Sequence, residues 1–253
     1  MMLFDGRGLA DEIEKQVVTG LSKFKTPPKL VTLFNEQDRA SSAYTTIKQK
    51  KAAELGVNFV AYLASSTSDP AGLIRQLNFD VKVNGIMVQL PFGMNRSADS
   101  SLCLLIDPKK DVDGLNLRSN VMPATVRAVL EVLKKINKSG RIVVVGNLGT
   151  VGSYLCRVLN CEGMDKFNFN ADLLGDADII ISATGQPGLI RGDMVKEGVV
   201  AIDVGYPKGD FDQEAAKKAS VITPVPGGIG PVTVACLFAN LVDLYEHQIS
   251  RIN

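Results

Sequence analysis

Short apolar runs recur along the chain, "KLVTLFN", "VNFVAYL", "GIMVQL", "RIVVVG", "ADIIISATG" and "VVAIDVGY", and most are separated by segments with apolar residues at helical spacing. "LADEIEKQVVTGLSKF", "PAGLIRQLN", "PATVRAVLEVLKKIN", "TVGSYLCRVLN" and "VTVACLFANLVDLYEHQ" are such segments, and the one beginning at Ser41 stops at Gly56, a natural left-handed terminator. A continuous apolar run suits a strand buried on both faces, and helix–strand alternation supplies the crossovers that parallel strands need. The chain is therefore expected to be α/β, with largely parallel sheets. Several runs end in glycine, and strand ends are where open α/β sheets place ligands.

A second strand–helix series starts near residue 121, and 253 residues are comfortable for two domains. Charge is nearly balanced, 28 basic against 27 acidic residues, which gives no footprint for nucleic acid or an acidic membrane. Cys103, Cys156, Cys161 and Cys236 show no C-x-x-C spacing and no accompanying histidines, so they read as small apolar residues in a reducing compartment. The N-terminus turns polar too soon for a signal peptide, and no apolar run approaches the roughly 20 residues of a membrane span. A cytoplasmic location without a membrane partner is expected. The single histidine, His247, stands in a terminal helical segment, so histidine triads and histidine metal sites drop out; no metal is expected.

Four stretches carry possible chemistry. In "SSAYTTIKQKKAAELG", Tyr44 and Lys48 stand at i and i+4 on one helix face, a shared site or merely a wet surface. "VVVGNLGTVG" sets Gly146, Gly149 and Gly152 between a strand and a helix. That suits a dinucleotide turn or a merely tight one, since the spacing is G-x-x-G-x-x-G. "GIMVQLPFG" ends a strand in Val88, Gln89 and Leu90, and "DPKKDVDGLN" carries Asp107, Asp111 and Asp113, a set that any solvated turn could show. "ITPVPGGIGPVT" packs prolines and glycines before a long helix, a rigid corner or a close approach to a flat ligand.

Together, Y-x-x-x-K, V-Q-L-P, "KDVDG" and "PVPGGIGPVT", flanked by "LFDGR" and "AIDVGY", resemble the methylenetetrahydrofolate dehydrogenase/cyclohydrolase family over roughly residues 3 to 245. The resemblance implies two α/β lobes with a cleft between them. The folate lobe is residues 1–120 completed by the C-terminal helix 231–253, and a Rossmann-like lobe, residues 121–230, holds the nicotinamide dinucleotide. It implies a homodimer that oxidises methylenetetrahydrofolate and hydrolyses the methenyl product to 10-formyltetrahydrofolate. Lys48 is then the catalytic amine, Tyr44 its companion at the folate, Gln89 an uncharged hydrogen-bond partner and Asp113 the acceptor for the pterin. Val88, Leu90, Pro224, Pro226, Gly227 and Gly228 would also border the substrate. Gly146, Asn147, Leu148, Gly152, Thr184, Gly205, Tyr206, Gly230 and Thr233 would border the cofactor.

The nucleotide lobe departs from the family pattern. Leu148 stands where relatives have serine, "PATVRA" keeps only Pro123 and Thr125 of a longer motif, and two segments are shortened. The basic residues that meet a 2′-phosphate are missing, and Lys166 precedes the apparent second strand. The family favours NADP; the missing cations favour NAD. Two other readings stand beside the bifunctional enzyme: a cyclohydrolase with a decayed cofactor lobe, and a non-catalytic folate-binding paralogue.

Overall fold

The computed structural model describes residues 1–93 and 95–250; residues 251–253, part of the expected C-terminal segment, lie outside the described residues. In chain order the elements are β1 (Met2–Leu3), α1 (Gly6–Leu21), β2 (Lys29–Phe34), α2 (Arg39–Leu55), β3 (Asn58–Leu63), α3 (Pro70–Phe79), β4 (Gly85–Val88) and α4 (Arg96–Leu105). They continue with α5 (Ala124–Ile136), β5 (Ile142–Val145), α6 (Thr150–Leu159), β6 (Glu162–Met164), α7 (Ala171–Gly175), β7 (Ile179–Ser182), β8 (Val200–Asp203), α8 (Gln213–Lys218), β9 (Val221–Ile222) and α9 (Ile229–Ile249). The chain divides into two compact units, Glu12–Ala124 with the residues from Val234 on, and Met1–Asp11 with Thr125–Thr233.

The first unit is built on a parallel sheet of order β3-β2-β4. Val31 and Leu33 of β2 and Ile86 and Val88 of β4 point into a core with Ile74 and Leu77 of α3 and Leu102 of α4. α2 is fixed at both ends by its own sequence. The Asp38 carboxylate accepts from the Ser41 amide at 2.6 Å, and Gly56, at φ 75°, closes the helix in the left-handed conformation.

The second unit is a six-stranded parallel sheet of order β1-β9-β8-β7-β5-β6. β5 has its successor β6 on one side and β7 on the other, so the chain reverses direction across the sheet at β5. Such a switch point leaves a crevice outside the carboxyl ends of the flanking strands. Val143, Val145, Ile180 and Ala201 pack into the apolar core beneath it.

Three expectations change. Residues 1–11 group with the second unit, because Met2 and Leu3 pair in parallel with Val221 and Ile222, a pairing too short to leave a periodic signal. The second strand of the nucleotide unit is Glu162–Met164, so Lys166 follows it instead of preceding it. α9, with 21 residues, is long and apolar enough by length and composition to cross a bilayer, but 67% of its apolar window is buried in the fold. It is apolar on most faces because it is a core helix.

Candidate active site

The sequence-predicted residues fall into two sets. In the first unit, Ser41, Thr45, Lys48 and Ala52 form the buried stripe of α2, and Tyr44, half-buried, stands one turn before Lys48. Register places Met87 of β4 opposite Thr32 of β2, and Gln89 follows the end of β4, its amide N–H donating to the Leu33 carbonyl at 2.8 Å. The Lys48 ammonium donates to Gln89 Oε1 at 2.6 Å and lies 3.6 Å from Met87 Sδ. The Gln89 side-chain NH2 donates to the Leu90 carbonyl at 3.0 Å, which fixes which end of the amide faces the lysine.

Burial pulls the Lys48 ammonium from 10.5 down to about 8, and the Asp113 charge opposes that pull. Burial also raises the Asp113 carboxyl above its ordinary value, with Lys48 opposing. The two groups sense one another electrostatically, but an amide, not a carboxylate, takes the hydrogen bond. The Lys48 nitrogen is therefore held in place without being locked as a cation.

Asp113 owes its position to a neighbour that the sequence reading treated as part of a solvated turn. Asp111 is fully buried, and its carboxylate accepts from the amides of Gly114 at 3.1 Å and Asn116 at 2.8 Å. Burial pushes this carboxyl up to about 7. Asn240 of α9 reaches in and donates to the carbonyls of Val112 and Met122, at 2.9 and 3.0 Å. Asp107 only shapes the turn, accepting from the Lys109 amide. A cavity of about 290 Å³, lined by Phe79, Val81, Lys109, Lys110 and His247 among others, lies in the same unit and contains none of the predicted site residues.

In the second unit, β5 runs into a turn built for close approach. Gly146 has φ 98°, and a Cβ there would lie 2.7 Å from the Ala183 carbonyl oxygen. A Cβ on Gly152 would lie 2.2 Å from the Gly146 carbonyl oxygen, so α6 sits directly on the turn. The amides of Gly146 and Asn147 both donate to the Met164 carbonyl of β6, at 2.7 and 3.2 Å. Gly149 caps α6 with no side chain, which leaves the first helical amides open to an anion. These are the features a dinucleotide pyrophosphate requires, so the residues present fit that group. Despite the altered spacing the turn keeps the close helix approach and open amides, and this geometry speaks against a decayed cofactor lobe. Leu148, at 64% exposure, projects outward from the turn.

Thr184 and Gly205 follow β7 and β8, and a residue that sequence reasoning missed holds the end of β7. Asp210 is fully buried; its Oδ2 accepts from Ser182 Oγ at 2.8 Å and from the Thr184 amide and hydroxyl at 2.9 and 2.8 Å. Beside it, Asp203 accepts from the amides of Gly205 at 2.8 Å and Phe211 at 3.2 Å, and burial raises its carboxyl. The Thr184 hydroxyl is thus engaged inside the loop, where it also accepts from the Gln186 amide. Tyr206 is exposed. Pro224, Pro226, Gly227 and Gly228, expected beside the folate, belong to this second unit. There the Gly228 amide donates to the Pro224 carbonyl at 2.7 Å, and Gly227 has φ 110°. Gly230 and Thr233 lie in the first two turns of α9.

Family models match both parts of the chain. The family model for the tetrahydrofolate dehydrogenase/cyclohydrolase catalytic domain matches residues 4–113, and the model for its NAD(P)-binding domain matches residues 123–249. The bifunctional protein FolD of Caldicellulosiruptor saccharolyticus is 35% identical over 92% of this chain and 96% of its own length. Among solved structures, a 5,10-methylenetetrahydrofolate dehydrogenase from the silkworm Bombyx mori superposes with a TM-score of 0.88 at 31% identity, covering 98% of this chain and 99% of its own. The Trypanosoma brucei methylenetetrahydrofolate dehydrogenase-cyclohydrolase, complexed with NADP and an inhibitor, gives 0.87 at 28% identity, with 98% of each chain covered. Two domain models that between them span nearly the whole chain, and relatives matched along their full length, place this chain in the tetrahydrofolate dehydrogenase/cyclohydrolase family.

Proposed function

We propose that the protein oxidises 5,10-methylenetetrahydrofolate to the 5,10-methenyl compound with a nicotinamide dinucleotide, and hydrolyses that product to 10-formyltetrahydrofolate in one-carbon metabolism. The observation that carries this is the buried Lys48 amine, brought down to about 8 and hydrogen-bonded to an amide at 2.6 Å. Bound dinucleotide supplies the hydride acceptor, and the residues that would hold it are the Gly146–Gly152 turn with the first amides of α6. The oxidised folate is a cation, and a lysine that discharges easily does not oppose its formation. At pH 7 roughly a tenth of Lys48 is neutral, enough for a general base.

In the hydrolysis, water adds to the methenyl carbon and gives a proton to Lys48. The carbon–N5 bond then breaks, N5 takes the proton that Lys48 holds, and the hydroxyl proton leaves as the net proton of the reaction. Gln89 keeps the nitrogen directed throughout. Asp113, an acceptor, suits the N–H edge of a pterin, and Tyr44 flanks the same site.

Of the two dinucleotides we propose NAD+. On the family resemblance we also propose a homodimer in the cytoplasm, with the free cysteines supporting a reducing compartment. Purified protein given methylenetetrahydrofolate and NAD+ or NADP+ is expected to form reduced cofactor, and to consume the methenyl compound without any nucleotide. Failure of both reactions overturns the proposal, and a single-chain mass by light scattering overturns the dimer.

A further inference from the structure

The end of β6 carries a carboxylate, Asp165, that the sequence reading passed over. β6 lies beside β5 with Met164 opposite Val145, and the Met164 carbonyl receives the two amides that open the glycine turn. The next residue, Asp165, therefore stands at the turn itself, about twenty residues after Gly146, where Rossmann units place the group that meets the adenosine ribose. Its side chain is fixed locally. Oδ1 accepts from the Phe167 amide at 2.7 Å, while the Asp165 amide donates to Asn168 Oδ1 at 2.7 Å. Among the described residues, Oδ2 takes no hydrogen bond. Lys166 is exposed, and its ammonium lies 4.9 Å from the centre of the Phe167 ring.

Resting on the cofactor reading above, we propose that Asp165 is the specificity-determining residue of the nucleotide site and selects NAD+ over NADP+. A carboxylate accepts from the vicinal hydroxyls of an unmodified ribose and repels a 2′-phosphate. Lys166, one position on and drawn over an aromatic face, does not replace the guanidinium clamp that a 2′-phosphate calls for.

The test is calorimetric titration of NAD+ and of NADP+ into the full chain, for the parent, Asp165→Asn, Asp165→Ser and Lys166→Ala. Asn and Ser both preserve an acceptor for the Phe167 amide, so the turn survives in each. The parent is expected to bind NAD+ at least about tenfold more tightly, and both Asp165 variants are expected to shift the NAD+/NADP+ affinity ratio toward NADP+ by roughly tenfold to a hundredfold. An NADP+ preference in the parent overturns the proposal, as does an unmoved ratio in both Asp165 variants. So does loss of NADP+ binding in Lys166→Ala while the Asp165 variants are silent. If the parent binds neither dinucleotide yet hydrolyses the methenyl compound, the dehydrogenase reading falls as well. If both bind and are reduced but the ratio does not respond to residue 165, only the role of Asp165 falls.

Discussion

Lys48 donates to Gln89 Oε1 at 2.6 Å, and the partner is an amide where a buried lysine would ordinarily be matched with a carboxylate. This choice lets burial, instead of a counter-ion, set the proton affinity of the amine. Gln89→Glu tests it by adding one negative charge with almost no change in shape. An opposite charge this close raises the lysine by about 1–3 pH units. Hydrolysis of the methenyl compound at pH 7 is then expected to fall by roughly ten- to a thousandfold, with its rising limb displaced to higher pH. A full pH–rate profile of both proteins checks this, and an unshifted limb contradicts it.

Lys48→Met removes the base and is expected to lower hydrolysis by about 10²–10⁴. It is also expected to stabilise the fold at pH 7. The folded-state value of Lys48, about 8, lies below its ordinary 10.5, so between those values the unfolded chain binds the extra proton. The parent therefore gains stability as pH rises from about 8 to 10.5, and the advantage of the variant shrinks over the same window. Thermal unfolding at pH 7 and pH 10 measures it, and an advantage that widens with pH contradicts the assignment.

The Lys48–Gln89 pairing was legible only through the resemblance of the four motifs taken together, because the two residues lie 41 positions apart. Helical spacing alone left Tyr44 and Lys48 as a shared site or a wet surface. Tyr44 and Lys48 share a helix face, and Gln89 follows a buried strand. The nucleotide side was less legible for three physical reasons. β6 is Glu162–Met164, three residues including a glycine, too short and too polar to announce a strand. Downstream, alternating Phe167 and Phe169 imitate a strand, yet Phe167 is 78% exposed. Asp210 matters only through partners about 26 residues away, which no local pattern encodes.

Gly152→Ala is expected to abolish dinucleotide binding, because the new methyl would meet the Gly146 backbone at 2.2 Å and force α6 off the turn. Overpacking of this kind costs about 1–3 kcal/mol. Nucleotide-free hydrolysis should persist, since Lys48 and Gln89 belong to the other unit. Fluorescence titration with both dinucleotides, run beside the hydrolysis assay, separates the two effects.

Asp210→Ala is expected to be among the most damaging single changes in the second unit. It strands the Ser182 hydroxyl and the Thr184 amide inside the fold. Each lost bond to a charged group costs about 1.5–3 kcal/mol, and each kcal/mol lowers the melting midpoint of a domain of this size by roughly 2–8 °C. A melting midpoint within about 2 °C of the parent contradicts this role.

The central claim is that Lys48 discharges near neutrality, and nuclear magnetic resonance of lysine labelled at the ε-carbon measures that directly. The Lys48 signal, identified by its absence in Lys48→Met, is expected to titrate with a midpoint near 8. A midpoint at or above the ordinary lysine value of about 10.4 would contradict the account.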